Sequence, residues 1–393
     1  MATNPAPPPD VDTSSPALSD RRDDQPTLSR GELGLAQDYV APLTRTHELL
    51  AEMWRLILRI DQVGVEDDFF ALGGDSLKAA ALFAAIEARF KKKLPLAVLA
   101  KGATVAFLAS QLDNAPSAPS SSILVPIKPS GTKTPLFLVH GMHGHVFFAN
   151  FVARHLPDDQ PLHALQARGL ESDEPPHASI EEMARDYVAA LRTVQPRGPY
   201  VIAGYCAGSL VALEMARQLA ALGDATAVLF MLDPPLPPSS GYVKDTIRLA
   251  SLPKAAAERV VKLHRASIRE LAQVWKDTRF DGADPAVLDR ATRVSVAITQ
   301  AYFAYQPQPS PEKVIFICSE DMAREAKQDT TRFWNKLARR GLMYRLTCSH
   351  AGLFTRAGDA VVRIMLDELA KLPAAGSGDD PPGVAPIVPR SGD

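Results

Sequence analysis

Gly204-Tyr205-Cys206-Ala207-Gly208 sets a thiol between two glycines, after the apolar run "YVIAGY" and ahead of the helix-like "SLVALEMARQLAAL". Glycines so placed permit a strained strand-to-helix turn that lifts the central side chain above a sheet. The free amides and dipole of the following helix favour a thiolate at that point, so the position both exposes and activates a nucleophile. The same pattern in isolation also suits a buried cysteine beside a tight turn, because free Cys is among the most buried residue types. Partners therefore decide the reading. Asp233 closes "VLFMLD", and His350 follows the strand-like "MYRLTC". His350 as general base would take the proton of Cys206 or of the acyl acceptor, while Asp233 would fix its tautomer and stabilise the imidazolium. Glu320 and Asp321, after "KVIFICS", are the competing acids.

Acyl transfer also needs donors aimed at a developing oxyanion. Cys206 is followed by Ala207, whose amide opens the helix and supplies one donor. His140-Gly141-Met142 ends the apolar run "LFLVH", where the amide of Met142 would supply the other. The histidines of "HGMHGHV" keep this loop near the site and read as structural rather than catalytic.

A second reactive position lies in "DDFFALGGDSLKAAAL", where Ser76 stands after Gly73, Gly74 and Asp75 at the start of a predicted helix. On its own it reads as a helix N-cap.

The elements that must position these groups fall into two units. Residues 1–43 are rich in Pro, Asp and Ser and are expected to be disordered. From 44 to 114, "HELLAEMWRLILRI", "LKAAALFAAIEARF" and "ATVAFLASQL" carry helical periodicity, with Thr104 as a plausible cap, and predict a small helical bundle. Residues 115–123 have linker composition. From 124 to 372, the strand-like "LFLVH", "YVIAGY", "AVLFMLD", "KVIFICSED" and "MYRLTCSH" alternate with helical patterns. Such alternation predicts a mostly parallel, doubly wound sheet. Residues from about 236 to 304 interrupt that rhythm with helix-like segments, as an inserted helical lid would. Residues 373–393 are a second expected disordered tail.

The 393 residues are 46% hydrophobic and 22% charged with net charge -2, which gives no electrostatic case for nucleic acid or an anionic membrane. No apolar run reaches the ~20 residues of a membrane span, and the start lacks a signal-peptide core, so the chain reads as cytoplasmic. Its three cysteines, Cys206, Cys318 and Cys348, are too few for a disulfide framework and lack paired metal-ligand spacing, so no metal is expected.

Asp67, Phe69, Phe70 and the run Leu72-Gly73-Gly74-Asp75-Ser76-Leu77 closely resemble the modification site of peptidyl carrier proteins in nonribosomal peptide synthetases. The resemblance implies that Ser76 carries a 4'-phosphopantetheine arm, installed by a phosphopantetheinyl transferase and loaded by upstream adenylation or condensation enzymes. "LFLVHGMHGHVFFANFVARHL", the GYCAG turn, "LDPPLP" and "SHAGLF" resemble the chain-releasing thioesterases that follow such carriers. That implies an α/β-hydrolase domain with Cys206, Asp233 and His350 as nucleophile, acid and base. Most such enzymes have serine at the nucleophile, and a proline and a small residue where this chain has Gly141 and Met142. A cysteine would keep the bound chain activated as a thioester, which suits closure of a lactone or lactam ring as well as hydrolysis. Two other readings stand beside it: an editing thioesterase that clears misloaded carriers, and a non-catalytic platform that presents Ser76 to other enzymes. "DYVAPLTRTHELL" resembles the join that follows an adenylation domain, so amino-acid activation falls to another chain or the sequence is an excised piece.

Overall fold

A computed structural model describes residues 28–35, 37–92, 94–113, 123–236, 285–320, 330–350, 352–355 and 357–371. The first unit contains α1 (Arg45–Leu58), α2 (Ser76–Phe90), a 3-10 turn at Leu96–Ala100 and α3 (Val105–Asp113). In α1 the buried Leu50, Met53, Trp54, Ile57 and Leu58 recur at helical spacing and face one core. The Thr44 hydroxyl caps α1 by accepting from the His47 amide at 3.1 Å, and Thr104 caps α3 by accepting from Phe107 at 3.1 Å.

At α2 the structure corrects the sequence reading. The cap is Asp75, whose Oδ1 accepts from the Lys78 amide at 2.9 Å, and Ser76 is the first residue of the helix. Asp and Ser are equally good caps, so only the backbone path distinguishes them. Disorder expected through residue 43 is also corrected from Leu28 onward. Leu28 bridges Ile60, a 3-10 turn spans Arg30–Leu33, and Arg30 forks onto buried Asp67 at 2.7 and 2.8 Å. A bidentate guanidinium–carboxylate pair orders a segment whose composition alone would not. Residues 1–27, most of the expected linker and the expected tail at 373–393 lie outside the described residues.

The second unit is built on seven strands: β1 (Leu124–Lys128), β2 (Leu136–Val139), β3 (Leu162–Leu165), β4 (Tyr200–Tyr205), β5 (Thr226–Leu232), β6 (Ser310–Ser319) and β7 (Ala338–Leu346). Their order is β1-β3-β2-β4-β5-β6-β7, with β1 antiparallel to β3 and the other pairs parallel. On one face pack α5 (Ile180–Arg192), α6 (Gly208–Ala221), α7 (Pro285–Ala304) and α8 (Thr330–Leu337). On the other pack α4 (Ala149–His155), α9 (Gly352–Thr355) and α10 (Gly358–Leu369). Helices on both faces explain why β2, β3 and nearly all of β4 are buried along their length. Of the expected lid, Pro285–Ala304 is helical, and 237–284 lies outside the described residues. Among the described residues no helix is long and apolar enough to cross a membrane.

The two units touch closely. Phe147 of the second unit is buried in the core of the first, 5.5 Å from the Phe70 ring. Arg154 on α4 pairs with Asp68 at 2.6 Å, Glu171 accepts from the Ala97 amide at 3.1 Å, and α2 lies against α7.

Candidate active site

Three strand ends converge at the carboxyl edge of the sheet, where open α/β sheets place their sites. Cys206 follows β4 with φ 52, inside the left-handed region that non-glycine residues rarely enter. The turn is held by the Cys206 amide donating to the Leu232 carbonyl at 2.9 Å and the Ser209 amide donating to the Cys206 carbonyl at 3.0 Å. The flanking glycines are required by close approach rather than by their own φ. A side chain on Gly208 would strike the His140 carbonyl, and one on Gly204 would strike the Gly208 backbone.

Asp233 follows β5, also with φ 52, and is fully buried. Its Oδ2 lies 2.6 Å from His350 Nδ1 and accepts from the Ser319 hydroxyl at 2.7 Å, while Oδ1 accepts from the Ser319 amide at 2.9 Å. Two further donors thus fix the carboxylate that orients the imidazole. Of the competing acids, Glu320 places its amide on the Cys348 carbonyl, and Asp321 lies outside the described residues.

His350 follows β7, with Nδ1 committed to Asp233 and with Cys206 near enough to its ring to influence its charge. Burial pushes its pKa down, but the hydrogen bond to Asp233 and the charges of Asp233 and Cys206 outweigh that and raise it to about 10. The Tyr205 ring stacks on His350 at 5.2 Å and 14°, and its hydroxyl donates to the His350 carbonyl at 3.3 Å. That hydroxyl also lies 3.3 Å from Nε2. Tyr302 of α7 donates to the Leu236 carbonyl at 2.6 Å, and its pKa is raised by burial and by the nearby Cys206.

Among the described residues, neither the Ala207 nor the Met142 amide donates to another backbone group in the turns and loops. The Met142 sulfur accepts from Thr299 of α7 at 3.5 Å. Cys318 is buried in the core, and burial pushes its thiol up to about 12; Cys348 is partly exposed. Sequence reasoning missed Ser319 and Thr299, which act through long-range contacts, and the part of Tyr205, a motif residue whose ring contact with His350 spans 145 positions. Among the described residues no cluster of three potential metal ligands occurs.

Ser76 is on the first unit, at the N-terminus of α2, after the Gly73-Gly74 turn. Asp75 supplies the cap of that helix.

Residues 134–369 match the family described as Thioesterase domain, and residues 48–112 match the family described as Phosphopantetheine attachment site. Malpinin synthetase from Mortierella alpina is 39% identical over 201 residues, 51% of this chain and 3% of that protein. Nonribosomal peptide synthetase btyA from Aspergillus terreus is 32% identical over 336 residues, 77% of this chain and 36% of that protein. A crystal structure of a holo four-domain nonribosomal peptide synthetase bound to AMP and glycine aligns with TM-score 0.54 and 26% identity, covering 86% of this chain and 27% of that one. The chain thus spans a minor part of the length of each of these relatives.

Proposed function

The chain belongs to the thioesterase-domain family and carries a phosphopantetheine attachment-site domain ahead of it, and we propose that it holds an acyl or peptidyl chain on Ser76 and releases it through an acyl-enzyme on Cys206. The observation that carries this reading is His350 held on buried Asp233 at 2.6 Å, at the strand ends where Cys206 sits on its left-handed turn.

The arm on Ser76 would supply a thiol that holds the chain as a thioester. The Cys206 sulfur attacks that carbonyl, forming a new C–S bond and an oxyanion that the Ala207 and Met142 amides receive. Collapse would break the old C–S bond, with His350 giving its proton to the departing sulfur. In the second half, His350 takes a proton from the acceptor hydroxyl, amine or water, and the acceptor oxygen or nitrogen displaces Cys206. Asp233 keeps the imidazole oriented throughout and offsets its positive charge.

Thioester-to-thioester transfer leaves the chain activated, whereas a serine would leave an oxoester. This favours attack by the chain's own hydroxyl or amine, giving a lactone or lactam, with hydrolysis as the competing outcome. A phosphopantetheinyl transferase and upstream adenylation or condensation enzymes would act on the first unit, within nonribosomal peptide biosynthesis in the cytoplasm.

The product tests this. With a chain loaded on Ser76, the protein should form a cyclic product, and Cys206→Ser should release more slowly and shift the ratio toward linear acid. An unchanged product ratio and rate in Cys206→Ser would remove the role of sulfur.

A further inference from the structure

His140 is fully buried between the sheet end and α5, with both ring nitrogens in short hydrogen bonds. Its Nδ1 is 2.7 Å from the Gly141 carbonyl oxygen, and its Nε2 is 2.7 Å from the Tyr187 hydroxyl. A carbonyl oxygen can only accept, so Nδ1 carries the proton. Nε2 of the neutral ring is then an acceptor, and the Tyr187 hydroxyl is its donor.

Burial lowers the His140 pKa to about 4, and it raises that of Tyr187 well above its ordinary value. Near neutral pH the ring therefore holds one proton and the phenol keeps its own, which leaves a single arrangement of donors. His177 packs edge-on against the Tyr187 ring at 5.8 Å and is tied to Asp186 at 3.0 Å, so the tyrosine is braced from its other side.

The bond from His140 ends on the peptide that joins Gly141 to Met142. Its carbonyl accepts a second bond, from the Gly144 amide at 3.0 Å, which fixes the peptide plane. In a trans peptide the N–H points opposite the C=O. Turning the carbonyl toward His140 and Gly144 therefore turns the Met142 amide away from them. The neighbouring His140 carbonyl lies against Gly208 in the first turn of α6, which keeps this loop beside the cysteine turn. Accepting hydrogen bonds at the carbonyl also polarises the peptide and strengthens its N–H as a donor.

From this geometry we infer that His140 and Tyr187 are positioning residues, which orient and polarise the 141–142 peptide so that the Met142 amide receives the oxyanion. The inference rests on the proposed acyl transfer to Cys206 and adds the support behind one oxyanion donor.

Tyr187→Phe tests it in the full chain, because it deletes the hydroxyl and keeps the ring. Losing an oxyanion donor outright costs on the order of 10²- to 10³-fold, and loosening one should cost on the order of tenfold. Acylation of Cys206 by a soluble acyl-pantetheine should slow by about that factor with KM within about twofold. Affinity for a tetrahedral boronate inhibitor should fall in parallel. Unchanged rate and boronate affinity, even with lowered thermal stability, would reduce the pair to a packing role and overturn the inference. Absence of acylation in the unmutated protein would instead sink the Cys206 reading, so the two failures are distinct. The tautomer gives a check that needs no folded variant. With ¹⁵N-labelled histidine, His140 should show the Nδ1–H form at about pH 6 to 8, and an Nε2–H form would overturn the inference.

Discussion

His350 and Asp233 meet at 2.6 Å, and the carboxylate they share is held from behind by both the amide and the hydroxyl of Ser319. Removing the negative charge should therefore harm more than removing the hydroxyl. Asp233→Asn should lower turnover by as much as about 10⁴-fold, the scale of the equivalent loss in a serine triad. Ser319→Ala, which leaves the amide bond in place, should lower it by roughly tenfold or less. Steady-state release kinetics would rank the two, and a mild Asp233→Asn would point to another acid.

The same pair sets a pH signature. The His350 pKa is raised in the folded protein from 6.5 to about 10. A raised pKa contributes stability that is fully present below the unfolded value and lost as pH rises through the folded one. The stability difference between the parent protein and His350→Gln should thus be largest below about pH 6.5 and shrink toward about pH 10. Urea unfolding across that range would show it, and a difference that grows with pH would reject the charge pair. In Asp233→Asn the loss should move to lower pH, because the carboxylate that raises the imidazole is gone.

The cysteine turn makes a packing prediction. Gly208→Ala places a carbon against the His140 carbonyl, a backbone atom that cannot swing aside. Destabilisation of about 4 kcal/mol or more, the range of severe single substitutions, is expected by urea unfolding. A Gly208→Ala protein of ordinary stability would mean that the turn has more room than this geometry allows.

Contact between the two units should matter only to a chain presented on Ser76. Arg154→Glu breaks the pair with Asp68 and sets two like charges together, without touching the cysteine turn. Transfer from the Ser76 arm should slow by about tenfold, on the scale of one partly buried ion pair, while hydrolysis of a soluble acyl-pantetheine stays the same. Equal slowing of both substrates would mean that Arg154 supports the fold instead of the encounter between the units.

Much of this arrangement was readable before the coordinates. Cys206 and Asp233 were findable because each closes or follows an apolar run long enough to mark a buried strand, and His350 because it follows the strand-like MYRLTC, which runs out of the half-exposed edge strand β7. The strand LHAL at 162–165 and the helix ANFVARH at 149–155 are too short to show a period. Pro126 disguises the edge strand LVPIK, where its missing N–H costs little. Asp75 and Ser76 are both capping residues, so their order in the helix needed the backbone. Ser319 and Tyr187 were invisible because their roles come from partners 86 and 47 positions away. Arg30 was hidden for the same reason, since its low-complexity surroundings do not reveal that Asp67 awaits it.

Identity of the acyl-bearing atom tests the central claim most directly. After loading of the holo protein with an acyl-pantetheine, rapid quench, proteolysis and mass spectrometry should find the acyl group first on the Ser76 arm and then on Cys206. In Cys206→Ala it should stay on Ser76 and no product should form. Product release by Cys206→Ala, or an acyl group that never reaches Cys206 in the parent protein while product accumulates, would contradict the account.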